Sequence, residues 1–375
     1  MRRSLLTRQS VSGLFAALLL AVSSSAFPAV TEALNDGPYV SYVADTGTAA
    51  WVCHGQALRI PVPPARAITP PCPSDVPALT LNRSNPQAAD EQDSSPYWAA
   101  VSDIHGQAGL YVHLLKTHGI VDAAGNWAWG RGVLVIAGDV FSRGPSVTEA
   151  LWQIYRLEQQ ARAAGGAVHL VLGNHEVMTL SGDLRYLHPK YRDVVEVLNR
   201  SYDKLYDADT ELGRWLRQRA TIFKLGDSVF LHGGLHPELA GQQIDLPAMN
   251  ARFRANLGLS REERSKDPEA KALFGRDGPI WYRGYFLAKR VKPADIDALL
   301  SRLGAKRIVV GHTSLDQIRS LYGGRVIGVD ANLKDGKPGE LLLWREGKLV
   351  RGLADGRQLP LEAGDDDGSQ MIEVF

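Results

Sequence analysis

Continuous apolar runs of strand length recur from residue 97 onward, at 98–101, 133–137, 168–172, 229–231 and 308–310. Runs without alternating polar positions suit strands that are buried on both faces. Helical patterns lie between them. Ser146-Val147-Thr148-Glu149 is a capping-box signature, and Val147, Ala150, Leu151, Ile154, Leu157 and Ala161 follow at helical spacing. Residues 293–303 predict another helix, stopped by Gly304. Residues 203–219 predict an amphipathic helix with Leu205, Leu212, Trp215 and Leu216 on one side, and the charge-rich stretch 261–271 predicts a solvated surface helix. Strand–helix alternation of this kind predicts an α/β fold with polar groups presented at strand ends.

Residues 27–96 have a different texture. Pro61, Pro63, Pro64, Pro70, Pro71, Pro73 and Pro77 crowd this stretch, and 39–43 and 58–60 predict short strands. The expectation is a small β-rich N-terminal lobe that ends in a polar linker over 82–95. Upstream, Arg2, Arg3 and Arg8 precede a short apolar run at 11–22, and Ser24-Ser25-Ala26 offers small residues for cleavage. That run is shorter than the roughly 20 residues of a membrane span, so it predicts a signal peptide and a mature chain beginning near Phe27. Arg2-Arg3 leaves a twin-arginine route open beside the general one. Export to an oxidising compartment predicts a disulfide between Cys53 and Cys72, the chain's two cysteines. Closing such a loop contributes about 3 kcal/mol in the chain-entropy picture.

Charge changes the picture by exclusion. The chain has 42 Lys+Arg against 41 Asp+Glu, so no global field favours nucleic acid or a membrane surface.

Short polar clusters sit at or just beyond the apolar runs: Asp103-Ile104-His105, Gly138-Asp139, Gly173-Asn174-His175-Glu176, His232-Gly233-Gly234 and Gly311-His312, with Arg143 beside the second. Asp103, His105, Asp139, Asn174, His232 and His312 make a mixed nitrogen and oxygen set, which suits divalent ions that keep exchangeable water. A carboxylate or a hydroxide can bridge two such ions, and both ions lower the pKa of the bridging water. Taken singly, an aspartate such as Asp139 is more often a turn or cap residue. Taken in order, the clusters predict hydrolysis of a phosphate ester by a metal-bridging hydroxide.

The order D-x-H, G-D, G-N-H, a later H and then G-H resembles the calcineurin-like metallophosphoesterase superfamily over residues 97–333. Gly173-Asn174-His175-Glu176 and His232-Gly233-Gly234-Leu235 are similar to its phosphoprotein phosphatase branch. Gly182-Asp183-Leu184-Arg185-Tyr186 and Trp281-Tyr282-Arg283-Gly284 resemble the bacterial Shewanella-like protein phosphatases. The resemblance implies a two-sheet β-sandwich flanked by helices. It also implies two divalent metal ions, with manganese the first choice and iron or zinc accepted by the same ligands. By position, Asp103 and His105 would bind the first ion, Asp139 would bridge, and Asn174, His232 and His312 would bind the second. Arg143 and Arg283 would hold phosphate oxygens, for which a planar guanidinium fork is suited. His175 would protonate the leaving oxygen. The implied organisation is a signal peptide over 1–26, the β-rich lobe and linker over 27–96, a catalytic domain over 97–355 and an acidic tail over 356–375.

Two positions depart from the pattern. Ser142 stands where serine/threonine phosphatases carry an aspartate that pairs with the acid histidine and raises its pKa. Gly328-Val329-Asp330-Ala331-Asn332 stands where the eukaryotic enzymes have S-A-P-N-Y. These argue against a eukaryote-type serine/threonine phosphatase. The expected activity is that of an exported, periplasmic or secreted phosphatase acting on phosphorylated proteins or small phosphate esters, with phosphotyrosine or aryl phosphate preferred. No nucleic-acid partner and no stable membrane association after signal cleavage are expected. Ser142 and Pro145 also fit a dinucleoside polyphosphate hydrolase, and a non-catalytic metal-binding protein on the same fold is the alternative from another class. His54, His113, His118, His169 and His188 have no place in the pattern and read as structural or surface residues, while His236 lies close behind His232.

Overall fold

The computed structural model describes residues 34–44, 46–82, 84–241, 244–287 and 291–364. The expected signal peptide and the acidic residues from 365 onward lie outside them. In the N-terminal part, β1 (Asp36–Val43), β2 (Thr46–Cys53) and β3 (Gln56–Pro61) form an antiparallel sheet. The short strands β4 (Ala67–Ile68) and β5 (Leu79–Thr80) pair beside it, and the expected Cys53–Cys72 disulfide is present. This region shares its apolar core with the rest of the molecule, and the Trp152 indole N–H donates to the Pro38 carbonyl at 2.9 Å.

Then come β6 (Glu91–Gln92), β7 (Tyr97–Val101), α1 (Ala108–Thr117), β8 (Val133–Ile136), α2 (Val147–Ala163) and β9 (Ala167–Leu170). After them the chain forms α3 (Asn174–Leu180), α4 (Pro189–Leu198), α5 (Glu211–Leu216), β10 (Ile222–Leu225) and β11 (Ser228–Leu231). Three helices follow, α6 (Leu246–Asn256), α7 (Arg261–Ser265) and α8 (Pro268–Leu273), and then α9 (Pro293–Leu303) and β12 (Arg307–Val310). The last strands are β13 (Arg319–Leu321), β14 (Val326–Gly328), β15 (Glu340–Arg345), β16 (Lys348–Leu353) and β17 (Gln358–Pro360).

Two six-stranded sheets carry the architecture, in the orders β17-β16-β15-β7-β8-β9 and β13-β14-β12-β11-β10-β6. The continuous apolar runs are explained by burial on both faces. Trp98, Ala100, Val133 and Val135 point inward against Phe223, Phe230, Val309 and Ile327 of the other sheet. Trp98 meets Phe230 edge-on at 5.1 Å. The alternate residues Ala99, Val101, Leu134 and Ile136 face outward onto α1 and α2, and Val229, Leu231, Ile308 and Val310 face α9. The result is the expected two-sheet sandwich flanked by helices.

Three local expectations are corrected. Residues 203–219 form a short 3-10 turn at Asp203–Tyr206 and then α5, because Thr210 leaves the helix and its hydroxyl caps the Gly213 N–H at 3.0 Å. The 261–271 stretch is two helices, split where Asp267 caps the second and Pro268 opens it. The capping box at Ser146 does not form. The Tyr191 hydroxyl of α4 instead accepts the N–H groups of Val147 and Thr148 at 2.7 and 3.2 Å.

Glu149 is thereby freed for a buried charge cluster. The Lys190 ammonium lies 2.5 Å from Asp36 and 3.2 Å from Glu149, so one lysine serves two buried carboxylates. Burial first, and then the Asp36 charge, push the Glu149 carboxyl up to about 7 from an ordinary value of 4.5, against the opposing pull of Lys190. A raised folded-state value means that the stability of the protonated form is complete below about 4.5 and is lost as pH rises through 7. Glu149→Gln, which keeps the neutral form, is therefore expected to gain on the wild type between those pH values, by at most about 3 kcal/mol. Chemical denaturation of both proteins across that range checks this, and parallel stability curves would contradict it.

Candidate metal centre

The polar clusters meet where the strands of both sheets end. Asp103, His105, Asp139, Arg143, Asn174, His175, Arg283 and His312 line one cavity of about 290 Å³, and His232 lies fully buried beneath it against Asp139. Asp103, His105, Asp139, Ser142, Arg143 and His312 all have φ between +45° and +72°. That region is unfavourable for residues with side chains and is concentrated here at the functional loops.

The side chains are aimed by hydrogen bonds on their far sides. His105 Nδ1 lies 2.7 Å from the Phe141 carbonyl, which leaves Nε2 facing the cavity, 3.7 Å from Asp103 and 3.6 Å from Asp139. His232 Nδ1 lies 2.8 Å from the Ala137 carbonyl, and its Nε2 faces Asp139 at 3.1 Å and the Asn174 amide oxygen at 2.9 Å. The Asp139 Oδ1 accepts the His175 N–H at 2.9 Å, while Oδ2 turns inward. The Asp103 Oδ2 accepts the Ser102 hydroxyl and the His312 N–H, at 2.7 and 2.9 Å. Gly173 and Gly311 permit this crowding: a Cβ at the first would strike the Asp139 carboxylate, and at the second the Asp103 carboxylate.

Two groups of ligand atoms result, His105 with Asp139 and His175, and Asp139 with His232 and His312. In each the atoms lie within 4.8 Å of one another, and Asp139 is common to both. Asp103 and Asn174 stand directly beside these groups. His175 Nδ1 and His312 Nε2 are buried with no partner among the described residues. Burial alone would lower the His232 imidazole, but the Asp139 and Asp103 carboxylates outweigh it and push it up to about 10. The same place therefore calls for positive charge and offers unspent nitrogen and oxygen donors. It fits divalent ions.

The rim holds the groups that would meet substrate. Arg143 lies over the Tyr186 ring at 5.0 Å, and an Arg283 NH2 reaches the His312 carbonyl at 3.2 Å. Tyr186 also flanks the His175 ring at 5.1 Å, and Trp281 meets His312 edge-on at 5.6 Å. His175 Nδ1 has no partner among the described residues, and burial lowers its imidazole from the ordinary value. Ser314 and Lys334 also line the cavity, and sequence reasoning missed them. Asp330, whose place had been noted only as a departure, is buried and accepts the Ser314 hydroxyl at 2.7 Å. Among the remaining histidines, His236 faces Tyr282 outside the cavity, and His169 stacks on Phe223 at 3.9 Å as a structural residue.

Glu176, named earlier only as part of a motif, has a distinct role. Its buried carboxylate accepts the N–H groups of Asp139, Val140 and Phe141, at 2.9, 2.7 and 3.2 Å, and that of Gly173 at 2.7 Å. Glu176→Ala leaves four buried donors unpaired. It is expected to cost about 3 kcal/mol or more in denaturation experiments and to abolish metal binding in calorimetry. Normal metal affinity in a folded Glu176→Ala protein would contradict this role.

Comparison with known proteins agrees with this geometry. The calcineurin-like phosphoesterase family matches residues 98–315. An uncharacterized protein of Schizosaccharomyces pombe is 30% identical over 66% of this chain and 76% of its own length. Shewanella-like protein phosphatase 2 of Arabidopsis thaliana is 25% identical over 73% of this chain and 76% of its own. The crystal structure of a cold-active protein-tyrosine phosphatase from a psychrophilic Shewanella superposes with a TM-score of 0.84 at 41% identity, over 88% of this chain and 99% of that one. Such a family implies a dimetal centre and phosphorylated substrates. With its ligand groups and its fold in place, the chain belongs to the calcineurin-like phosphoesterases and is a metal-dependent phosphoesterase.

Proposed function

We propose that this chain is an exported phosphatase that hydrolyses phosphate monoesters, with phosphotyrosine and aryl phosphates preferred, and that manganese is the metal it uses. The observation that carries this is the small cavity itself, where two arginines, two aromatic side chains and the ligand groups converge. The likeness to a protein-tyrosine phosphatase structure supports the substrate preference. The Cys53–Cys72 disulfide supports export, and among the described residues no helix is long and apolar enough to cross a membrane. Residues 97–355 are taken as the catalytic domain.

In this reading Asp103 and His105 would hold the first ion, Asn174, His232 and His312 the second, and Asp139 would serve both. Divalent ions bound there would supply a water of lowered pKa and positive charge to offset that of the phosphoryl oxygens. The remaining steps belong to the chain. Arg143 and Arg283 grip the phosphate oxygens from two sides of the cavity. The Asp139 carboxylate fixes the backbone of His175 through its N–H, so that the imidazole faces the leaving oxygen. Tyr186 and Trp281 wall the space into which an aryl group would extend. His175 supplies a proton to the leaving oxygen.

The leaving group follows from His175. An imidazole that burial lowers and whose Nδ1 has no partner is a poor reservoir of protons, and a phenolate of pKa about 10 needs that proton less than a serine alkoxide does. The site is therefore matched to aryl esters.

Purified protein with manganese is expected to release free phosphate from p-nitrophenyl phosphate and phosphotyrosine peptides, faster than from phosphoserine peptides. His175→Gln is expected to lower kcat on phosphoserine peptides by roughly 100-fold, and on p-nitrophenyl phosphate by far less. Inactivity on both aryl substrates would refute the proposal. Diadenosine tetraphosphate cleaved to nucleoside diphosphates, with monoesters left untouched, would install the dinucleotide hydrolase in its place.

A further inference from the structure

Beside the metal centre lies a larger groove of about 830 Å³, bounded by α3, α7, α8 and the loop that carries Arg283. Trp281 and Arg283 line both it and the smaller cavity, so the two adjoin. The centre alone has room for one phosphorylated side chain. The groove adds the volume of a ligand of several residues.

Its charge is one-sided. Arg261, Lys271 and Arg276 line the groove and are exposed, and among the described residues no ion pair or side-chain hydrogen bond engages them. The acidic side chains of the same segment are largely committed elsewhere. Glu263 caps the Ser260 N–H at 2.7 Å, and Asp267 and Glu269 both pair with Arg252. Of the two carboxylates in the lining, Asp183 is held by Arg185 at 2.5 Å, which leaves Asp277 to offset the three free cations. The floor is aromatic: Phe274 lies under the Arg264 guanidinium at 4.7 Å, and Trp281 continues toward His312.

We propose that this groove binds an acidic stretch of polypeptide next to the phosphorylated residue, and that Arg261, Lys271 and Arg276 set this sequence preference. The inference rests on the reading that phosphoproteins are substrates. It gives the charge-rich segment 261–271 a function beyond solvation. Arginine and lysine on a concave surface attract carboxylates over a distance and fix their register once they are bound. The apolar floor lets side chains between the acidic residues be buried.

The test separates binding from turnover. Full-length protein is titrated into a fluorescein-labelled, unphosphorylated peptide with glutamates around a tyrosine, and into its glutamine analogue, at low and high salt. The acidic peptide is expected to bind about tenfold more tightly at low salt, with the difference shrinking as salt rises. The triple variant Arg261→Gln/Lys271→Gln/Arg276→Gln is expected to lose that preference. It should also lose the matching KM advantage on acidic phosphotyrosine peptides, while its kcat/KM on p-nitrophenyl phosphate, which reports an intact centre, stays unchanged. Equal affinity for both peptides, an undiminished preference in the triple variant, or binding to phosphatidylserine vesicles without binding to the peptide would overturn the groove assignment. An acidic-peptide preference with no turnover of any phosphotyrosine peptide would overturn the phosphoprotein reading beneath it.

Discussion

The buried carboxylate of Glu176 holds together the parts of the chain that make the site. It receives three N–H groups from the loop after β8 and one from the residue that opens α3. That loop in turn supports its neighbour. The N–H groups of Asp103, His105 and Gly106 donate to the carbonyls of Gly138, Asp139 and Val140, at 3.0, 2.9 and 3.0 Å. Asp103 then receives the His312 N–H from the other sheet. A buried anion is costly unless its lone pairs are filled. Here they are filled by backbone donors that the left-handed turns would otherwise strand, so one carboxylate stabilises a loop geometry that local preference opposes.

Electrostatics explains how so polar a centre can be buried at the edge of a sandwich, where its strands end. Asp103, Asp139 and Asp330 converge in a region nearly closed to water, and burial together with the Asp330 charge drives Asp103 well above the usual carboxylate range. Asp139, which burial would raise, is held well below its usual value by His232 and His175. Such a set is unfavourable by itself and becomes favourable around cations. The folded chain keeps these side chains close against their mutual repulsion, a cost that bound divalent ions would offset. Arg143 and Arg283 remain at the rim, where phosphate oxygens would meet them.

Much of this could be read from the sequence for a physical reason. Strands buried on both faces must be uninterrupted apolar runs, so 98–101, 133–137 and 308–310 stand out, and the ligands must follow where the strands end. The disulfide and the helix ending at Gly304 were legible because each depends on local chemistry. Features made by distant segments were not. The N terminus of α2 is capped by Tyr191 rather than Ser146, because a hydroxyl from α4 reaches two N–H groups there. Ser314 and Lys334 reach the cavity just beyond Gly311-His312 and Asn332, where neither residue belonged to the pattern, and the basic groove joins α3 to α7 and α8 across roughly eighty residues. Ser142 was the informative exception in both views. His175 Nδ1 is buried without a hydrogen-bond partner among the described residues, and the proposed preference for aryl leaving groups rests on that.

The central claim is that one shared aspartate joins two ion sites into a single catalytic unit. Metal content and phosphatase activity, measured together on wild type and Asp139→Asn after reconstitution with manganese, test it most directly. The account predicts two ions per chain in the wild type, consistent with the two ligand groups that share Asp139. In the variant it predicts fewer than two ions and a fall in kcat/KM on p-nitrophenyl phosphate of roughly 100-fold or more. Full metal occupancy with undiminished activity in Asp139→Asn would contradict it.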